Sequence, residues 1–185
     1  MTQIDKFIRF YRTTIALKNM QKNVKSVFDI GCDDGYLLYK FDKNIKRDGI
    51  DPRLNKTIRE NGLFLKKGFF PKNIADSQMK NSYDVVFALA VFEHFSQNDL
   101  KQSASVISKM LTKNGRLIIT IPESKVDDIL FFLKSFKLID GQALEEHHHF
   151  NSDNIIKYFS KNLNLIKHKK FQLGLNNLYV FEKRS

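Results

Sequence analysis

The sequence predicts a doubly wound α/β domain, in which a mostly parallel sheet carries helices on both faces. Three observations lead to this fold class. Residues 27–30 are a short apolar strand that enters a glycine turn, and residues 83–91 are a continuous apolar run of the kind found in buried parallel strands. Near the end of the chain, two strand-like segments flank Gly-Leu-Asn-Asn at 174–177, which is typical of an antiparallel hairpin.

The turn after the first strand carries the chemistry. Residues 27–35 read Val-Phe-Asp-Ile-Gly-Cys-Asp-Asp-Gly, and a helix is predicted from residue 36. A strand, glycine turn and helix in this order hold nucleotide-like ligands. Asp29, Asp33 and Asp34 would repel a pyrophosphate, so dinucleotides are disfavoured. S-adenosylmethionine carries a sulfonium and an ammonium, which these acids attract, and the first N–H groups of the helix are expected to take its carboxylate.

This turn resembles motif I of class I S-adenosylmethionine-dependent methyltransferases, whose usual form is Asp-x-Gly-x-Gly-x-Gly. Asp29, Gly31 and Gly35 match, whereas Asp33 replaces the middle glycine. Aspartate tolerates left-handed backbone, so we expect the turn to form. The resemblance implies a seven-stranded, mostly parallel sheet with an antiparallel C-terminal hairpin. It also implies that these four residues and Cys32, which equally suits a small packing role, contact the cofactor.

A second acid is predicted at the cofactor. Asp51 lies 20 residues after Gly31, at the end of a short apolar-leaning segment, and Pro52 follows it. This interval is usual for a carboxylate that binds both ribose hydroxyls from the end of the second strand. The alternative is that Asp51 only opens an Asp-Pro turn.

The third strand is the weakest part of the pattern. Residues 64–71, Phe-Leu-Lys-Lys-Gly-Phe-Phe-Pro, should supply the adenine pocket, yet they contain no acid. Phe69 is the candidate to stack on adenine, although paired phenylalanines are more often part of a core.

Residues 83–91 and the following Phe-Glu-His-Phe resemble the fourth motif of the same family, and 116–121 its fifth strand. The resemblance places Ala88 beside the cofactor. His94 follows at the carboxyl end of the strand, where such sheets bind ligands, so it could orient or deprotonate an acceptor. Alternatively, Glu93 and His94 cap and brace the next helix.

Residues 123–152 are predicted to form an insertion on the acceptor side. Apolar spacing predicts a helix over 124–136, and a second helix is predicted over about 153–161. Between them lies Glu-Glu-His-His-His-Phe, in which His147 is the candidate general base. A solvated loop is the alternative, and a metal site is disfavoured because consecutive histidines point in opposite directions.

The whole chain, 1–185, is interpreted as one methyltransferase domain whose first segment, 1–22, is a helix beside or over the cofactor. A single cysteine excludes an internal disulfide, and the absence of a signal peptide or long apolar span predicts a cytoplasmic protein. The net charge of +11 suits an anionic partner. However, most lysines are scattered, and the cluster Lys-His-Lys-Lys at 167–170 fits a solvated surface.

The expected function is therefore methyl transfer from S-adenosylmethionine to a small-molecule or glycan acceptor, at a hydroxyl group, as in polysaccharide biosynthesis. Two alternatives stay open: an RNA-directed methyltransferase, and a non-catalytic scaffold subunit with the same fold. The sequence does not decide the oligomeric state.

Overall fold

A single eight-stranded sheet forms the centre of the protein, as seen in a computed structural model that describes residues 3–123 and 153–184. The strands are β1 (Ser26–Ile30), β2 (Lys46–Asp51), β3 (Ile58–Glu60), β4 (Leu63–Lys67), β5 (Tyr83–Leu89), β6 (Leu111–Pro122), β7 (Leu163–Phe171) and β8 (Asn176–Lys183). The helices are α1 (Gln3–Leu17), α2 (Gln97–Met110) and α3 (Asp153–Phe159). Short 3₁₀ turns occupy Leu38–Lys40, Asp76–Met79 and Phe92–His94.

The strand order is β3-β4-β2-β1-β5-β6-β8-β7. Five adjacent strands of the sheet are parallel, in the order β4, β2, β1, β5 and β6, and β8 and β7 add an antiparallel C-terminal hairpin. The predicted fold class is therefore confirmed. The sheet has one strand more than the seven that were expected, because β3 pairs antiparallel with β4 across a tight turn at Asn61 and Gly62, both with positive φ. An Asn-Gly pair favours such a hairpin turn.

Helices cover both faces of the sheet, as predicted. On one face, Leu100 and Ile107 of α2 and Ile155 and Phe159 of α3 join a buried apolar cluster with the strands. On the other face, Ala16 of α1 is fully buried in a second cluster. The helices predicted over residues 1–22 and about 153–161 are thus confirmed with shorter bounds, whereas the helix predicted over 124–136 lies outside the described residues.

The helix expected after the glycine turn is absent from the described structure, and this prediction was wrong. Only the 3₁₀ turn Leu38–Lys40 stands there. The connection from β1 to β2 comprises residues 31–45, and the glycine turn uses its first part. Leu37, Leu38 and Phe41 instead pack directly on the sheet.

The cap of α2 gives a test of the fold. Ser96 Oγ accepts a hydrogen bond from the Asp99 N–H at 3.1 Å. Replacing a capping serine by alanine costs about 0.5–2 kcal/mol of stability. We expect Ser96→Ala to lower the free energy of unfolding in urea by that amount. The control Ser105→Ala, on the exposed face of the same helix, should change it by less than about 0.5 kcal/mol. Equal effects of the two substitutions would contradict the cap.

Candidate functional site

A small pocket of about 70 Å³ lies at the carboxyl ends of β1 and β5. Its walls are the loop after β1, the end of β5 at Leu89, and the α1 residues Arg9, Arg12 and Thr13. Parallel sheets of this kind bind ligands at this edge, where the strand order reverses. A larger, open depression of about 380 Å³ lies at the opposite edge of the sheet, beside the amino ends of β2 and β4. Its lining includes none of the predicted site residues.

The loop after β1 has the conformation that its sequence predicts. Gly31, Asp33 and Gly35 have φ values of 74°, 48° and 82°. Asp33 thus adopts the left-handed backbone that a glycine would adopt in the usual motif. Position 31 also requires a residue without a side chain, because a Cβ there would lie 2.8 Å from Val91 Cγ2. The substitution at position 33 therefore leaves the turn intact.

Asp51 ends β2 beside this loop and is only 2% exposed. Its Oδ2 accepts the Asp33 N–H at 2.9 Å, and its Oδ1 accepts the Arg53 N–H at 2.7 Å. The Arg53 side chain lies 3.5 Å from the same carboxylate. Asp51 is thus placed at the carboxyl edge as predicted, and it also fixes the loop in position.

Asp29 is the buried acid of the pocket. Its side chain is 4% exposed, and desolvation, followed by the nearby charge of Asp51, raises its pKa well above the usual range. Arg9 acts in the opposite direction and Asp33 adds to the increase. Cys32 lies next to it, buried against Gly49, and burial likewise raises the pKa of its thiol. A cationic group entering the pocket would find a carboxylate that lacks sufficient counterions.

The sequence interpretation placed the N-terminal helix beside or over the cofactor but missed the two arginines that α1 contributes. Arg9 forms a bidentate ion pair with Asp34, lies 3.8 Å from Asp33, and stacks over the Tyr36 ring at 4.2 Å. These contacts hold the first half of the helix against the loop. The clue in the sequence was the spacing of Arg9 and Arg12, which places two guanidinium groups on one face of a helix.

Arg12 lies one turn farther along α1 and lines the same pocket. Its Nε is buried without a hydrogen-bond partner in the described structure. Desolvation lowers the pKa of its guanidinium, and the negative charge of Glu93 partly offsets this effect. Glu93, only 4% exposed, therefore faces α1.

Three further predicted residues occupy different environments. Ala88 is fully buried within β5, and Leu89 is the β5 residue that lines the pocket. Phe69 is 62% exposed just beyond β4, whereas its neighbour Phe70 is in the core. His94 is exposed after β5. The helix cap considered for Glu93 and His94 is provided by Ser96 instead.

The candidate base His147 lies outside the described residues. Among residues 3–123 and 153–184, no three His, Cys, Asp or Glu side chains converge in a way that could hold a metal ion. No helix in those ranges is long and apolar enough to cross a membrane.

The basic cluster at 167–170 lies on β7, which is the edge strand of the sheet. Lys167 donates to Asn19, and Lys170 forms an ion pair with Glu123 at 3.1 Å. His168 stacks on Tyr179 with ring centroids 4.3 Å apart. The cluster is thus solvated and engaged in local contacts, which is one way to protect an exposed sheet edge.

Comparison with known protein families gives a match to the methyltransferase domain over residues 3–166. The chain belongs to this family. The match includes α1, the glycine turn and Asp51, and the resemblance to class I S-adenosylmethionine-dependent methyltransferases is confirmed. No curated protein matches the methyltransferase at the sequence level.

Solved structures share the fold of the methyltransferase at low sequence identity. One is the N-methyltransferase NodS from Bradyrhizobium japonicum WM9, with 13% identity, a TM-score of 0.66, and coverage of 96% of this chain and 97% of that chain. The same enzyme solved with S-adenosyl-l-homocysteine gives a TM-score of 0.64 at 13% identity, covering 95% and 87%. A putative methyltransferase from Haloferax volcanii, solved with the Trm112 methyltransferase activator, gives 0.72 at 16% identity, covering 96% and 91%.

The pocket residues fit the cofactor of this family. The amino acid group of S-adenosylmethionine carries one ammonium and one carboxylate. The pocket offers the buried carboxylate of Asp29 and the unpartnered Nε of Arg12. Opposite charges in a desolvated pocket of this size suit a zwitterionic ligand. We therefore predict that Asp29 binds the ammonium group.

The ionisation of Asp29 can be tested through stability and binding together. Because its pKa is raised in the folded protein, the folded state loses stability as pH increases and the group ionises. Asp29→Asn should therefore raise the melting temperature of the ligand-free protein at pH 8, and less so at pH 5.

The same variant should bind S-adenosylhomocysteine about 10- to 100-fold more weakly in calorimetry, because a charged hydrogen bond is lost. The exposed control Asp42→Asn should change neither property. A variant that is less stable at pH 8 and binds normally would contradict the role of Asp29.

Proposed function

We propose that this S-adenosylmethionine-dependent methyltransferase acts on a hydroxyl group of a small-molecule or glycan acceptor. The observation that carries the proposal is the pocket at the carboxyl edge of the sheet, whose lining beside the glycine turn includes the buried acid Asp29 and Arg12 with its buried, unpartnered Nε. When bound, S-adenosylmethionine supplies a methyl group on a positively charged sulfur, which makes that carbon electrophilic. The protein has to bind this donor, align an acceptor with it and exclude water.

The loop after β1 and the end of β2 are the proposed cofactor contacts. Gly31, Cys32, Asp33 and Gly35 surround the amino acid end, and the Asp51 carboxylate receives the ribose hydroxyls. Each carboxylate oxygen of Asp51 has one short backbone N–H partner, and a carboxylate oxygen can accept more than one hydrogen bond. The exposed ring of Phe69 stacks on the adenine in this proposal.

The pocket encloses only about 70 Å³, which is well below the roughly 300–1,000 Å³ of a site for a ligand of this size. In the proposal, it therefore takes only the amino acid end of the cofactor. The ribose and adenine lie over the open surface from Asp51 toward Phe69.

Exposed aromatic residues support a sugar-like acceptor. Phe7 stacks on Tyr11, and Tyr11 packs against Phe171 with ring centroids 6.1 Å apart. This row leads from the first half of α1 to the β7–β8 hairpin, next to the carboxyl end of β6. Phe7 is 64% exposed and Leu173 in the hairpin is fully exposed. Exposed aromatic rings offer apolar contact area to a sugar ring and leave its hydroxyl groups free to react.

The basic residues near this edge favour a small acceptor over a nucleic acid. Arg9 is held by Asp33 and Asp34, and Lys170 by Glu123. A groove for a phosphate backbone needs a continuous row of cations that are available to bind phosphates. The net charge of +11 still favours an acceptor that carries negative charge.

In this mechanism, His94 receives the proton that the acceptor hydroxyl loses. It is exposed in the 3₁₀ turn Phe92–His94, which follows the carboxyl end of β5. An imidazole with a pKa near 6.5 suits this task at neutral pH. His147 is the second proposed base, and its place in the fold lies outside the described residues.

The proposed function is tested with S-adenosylmethionine labelled in its methyl group. The protein is incubated with hydroxyl-bearing sugars, acidic oligosaccharides, small alcohols and phenols, and separately with RNA. We expect label in a sugar or small-molecule product. Label only in RNA would overturn the acceptor class, and no transfer to any acceptor, together with normal cofactor binding, would favour the scaffold alternative.

Asp51 is the critical residue for cofactor binding. We expect Asp51→Ala to abolish measurable binding of S-adenosylhomocysteine, because both the ribose contact and the anchor of the loop are lost. The control Asp76→Ala removes an exposed acid from a surface turn and should bind normally. Circular dichroism shows whether the sheet is still folded. Unchanged affinity in Asp51→Ala would contradict the assignment of this residue.

His94 is tested once an acceptor is found. We expect His94→Gln to lower kcat about 10²- to 10⁴-fold, which is the usual contribution of a general base. Its affinity for S-adenosylhomocysteine should be unchanged. His168→Gln is the matched control, because His168 lies on the edge strand β7. If His94→Gln retains the wild-type kcat, His94 is not the base.

A further inference from the structure

The loop after β1 has little capacity left to bind an anion. The backbone N–H groups of Gly31 and Cys32 donate to a carbonyl of β2, and that of Asp33 donates to the carboxylate at the end of β2. The N–H groups of Gly35 and Tyr36 donate within the loop itself. Five of the six N–H groups from position 31 to 36 are therefore already engaged.

The missing helix removes the other usual anion site. The chain after the loop forms one turn, closed by the Tyr39 N–H to the Gly35 carbonyl, and the 3₁₀ turn Leu38–Lys40. Among the described residues, no α-helix therefore follows the loop to direct its dipole at the pocket. The charges of Asp33 and Asp51 raise the pKa of the buried Asp29, which shows that this region is already unfavourable for a further negative charge. A ligand carboxylate in the pocket therefore needs a cationic side chain close by.

Two arginines of α1 line the pocket, and only one of them has its charge compensated by the loop. Arg9 is bound by Asp34 and by the Tyr36 ring. The negative charge of Glu93 stabilises the charged form of Arg12. The Nε of Arg12 is nevertheless buried with no hydrogen-bond partner in the described structure. A buried N–H of a charged group without an acceptor is costly, and a ligand carboxylate would satisfy it.

We propose that Arg12 binds the carboxylate of the amino acid group of the cofactor, whereas Arg9 holds α1 against the loop. This inference rests on the cofactor site described above and adds the residue that replaces the missing helix N-terminus. Arg12 thereby makes α1 part of the cofactor site. The pocket distinguishes the complete cofactor from compounds that lack its carboxylate.

The competing explanation is that Arg12 serves only as a counterion for Glu93. In that case the loss of Arg12 would affect stability, and it would weaken the binding of every adenosine-containing ligand to the same extent. The two explanations differ in ligand discrimination, which can be measured with a pair of ligands that differ in one group.

The experiment compares S-adenosylhomocysteine with S-adenosyl-3-thiopropylamine, which has the same atoms except for the carboxylate. Calorimetric titrations are carried out on the wild type, Arg12→Met and Arg12→Lys. We expect the wild type to prefer S-adenosylhomocysteine about 10- to 100-fold, and Arg12→Met to lose this preference. Arg12→Lys should keep part of it, because the ammonium retains the charge and loses the planar fork of donors.

Arg116→Met is the matched control, since it removes a guanidinium at the opposite edge of the sheet, where Arg116 pairs with Glu182. It should keep the wild-type preference. If Arg12→Met does not fold, the ligand preference of Arg12→Lys decides between the two explanations. A preference unchanged from wild type in the folded Arg12 variants would overturn the proposal.

The outcomes separate this proposal from the proposed function. Wild-type protein that binds neither ligand would overturn the cofactor site itself. Wild-type protein that binds both ligands equally would overturn only the role of Arg12. The identity of the acceptor affects neither result, because no methyl transfer is measured.

Discussion

The hydrogen bond from the Asp33 N–H to the Asp51 carboxylate is the contact on which the candidate site depends. It joins the loop after β1 to the end of β2 at 2.9 Å, and the acceptor is almost completely buried. Because the two strands are parallel neighbours, their carboxyl ends meet at one edge of the sheet, and this bond fixes the loop there. The left-handed backbone at Asp33 aims its N–H at Asp51. Asp33, the residue that departs from the family pattern, is thus the donor of this hydrogen bond.

Helix α1 forms a second wall of the pocket, beside the loop after β1. Its second half is anchored in the core through Ala16, and the first half lies against the loop through Arg9. Hydrophobic burial therefore positions a helix whose charged face can act in ligand binding. This arrangement places two arginines beside the loop, where the described structure has no α-helix whose N-terminus could point at the ligand.

Much of the fold could be predicted from the sequence, because the relevant patterns are local. The apolar run of β5 and the glycine turn have a period and composition that few other structures share. The strand β3 was missed although Asn61 and Gly62 are a strong hairpin pair. A helix was wrongly expected because the apolar residues from 36 to 41 fit helical spacing, whereas in the structure Leu37, Leu38 and Phe41 pack on the sheet from a loop and a 3₁₀ turn.

The site was only partly predictable, for a physical reason. Asp29 and Asp51 belong to strands whose register follows from the fold, so their meeting point could be inferred. Arg9 and Arg12 reach the pocket because α1 packs across the sheet, and their spacing in the sequence indicates a shared helix face without indicating what that face contacts. For the same reason, the electrostatic effect of Glu93 on Arg12 of α1 became visible only in the structure.

Calorimetric titration of the purified protein with S-adenosylhomocysteine tests the central claim most directly. The account predicts one ligand per chain, a dissociation constant in the micromolar range, and an affinity that is unchanged by EDTA. It also predicts much weaker binding of 5′-methylthioadenosine, which lacks the amino acid group that the pocket is expected to hold. Absence of binding, or equal affinity for the two ligands, would contradict it.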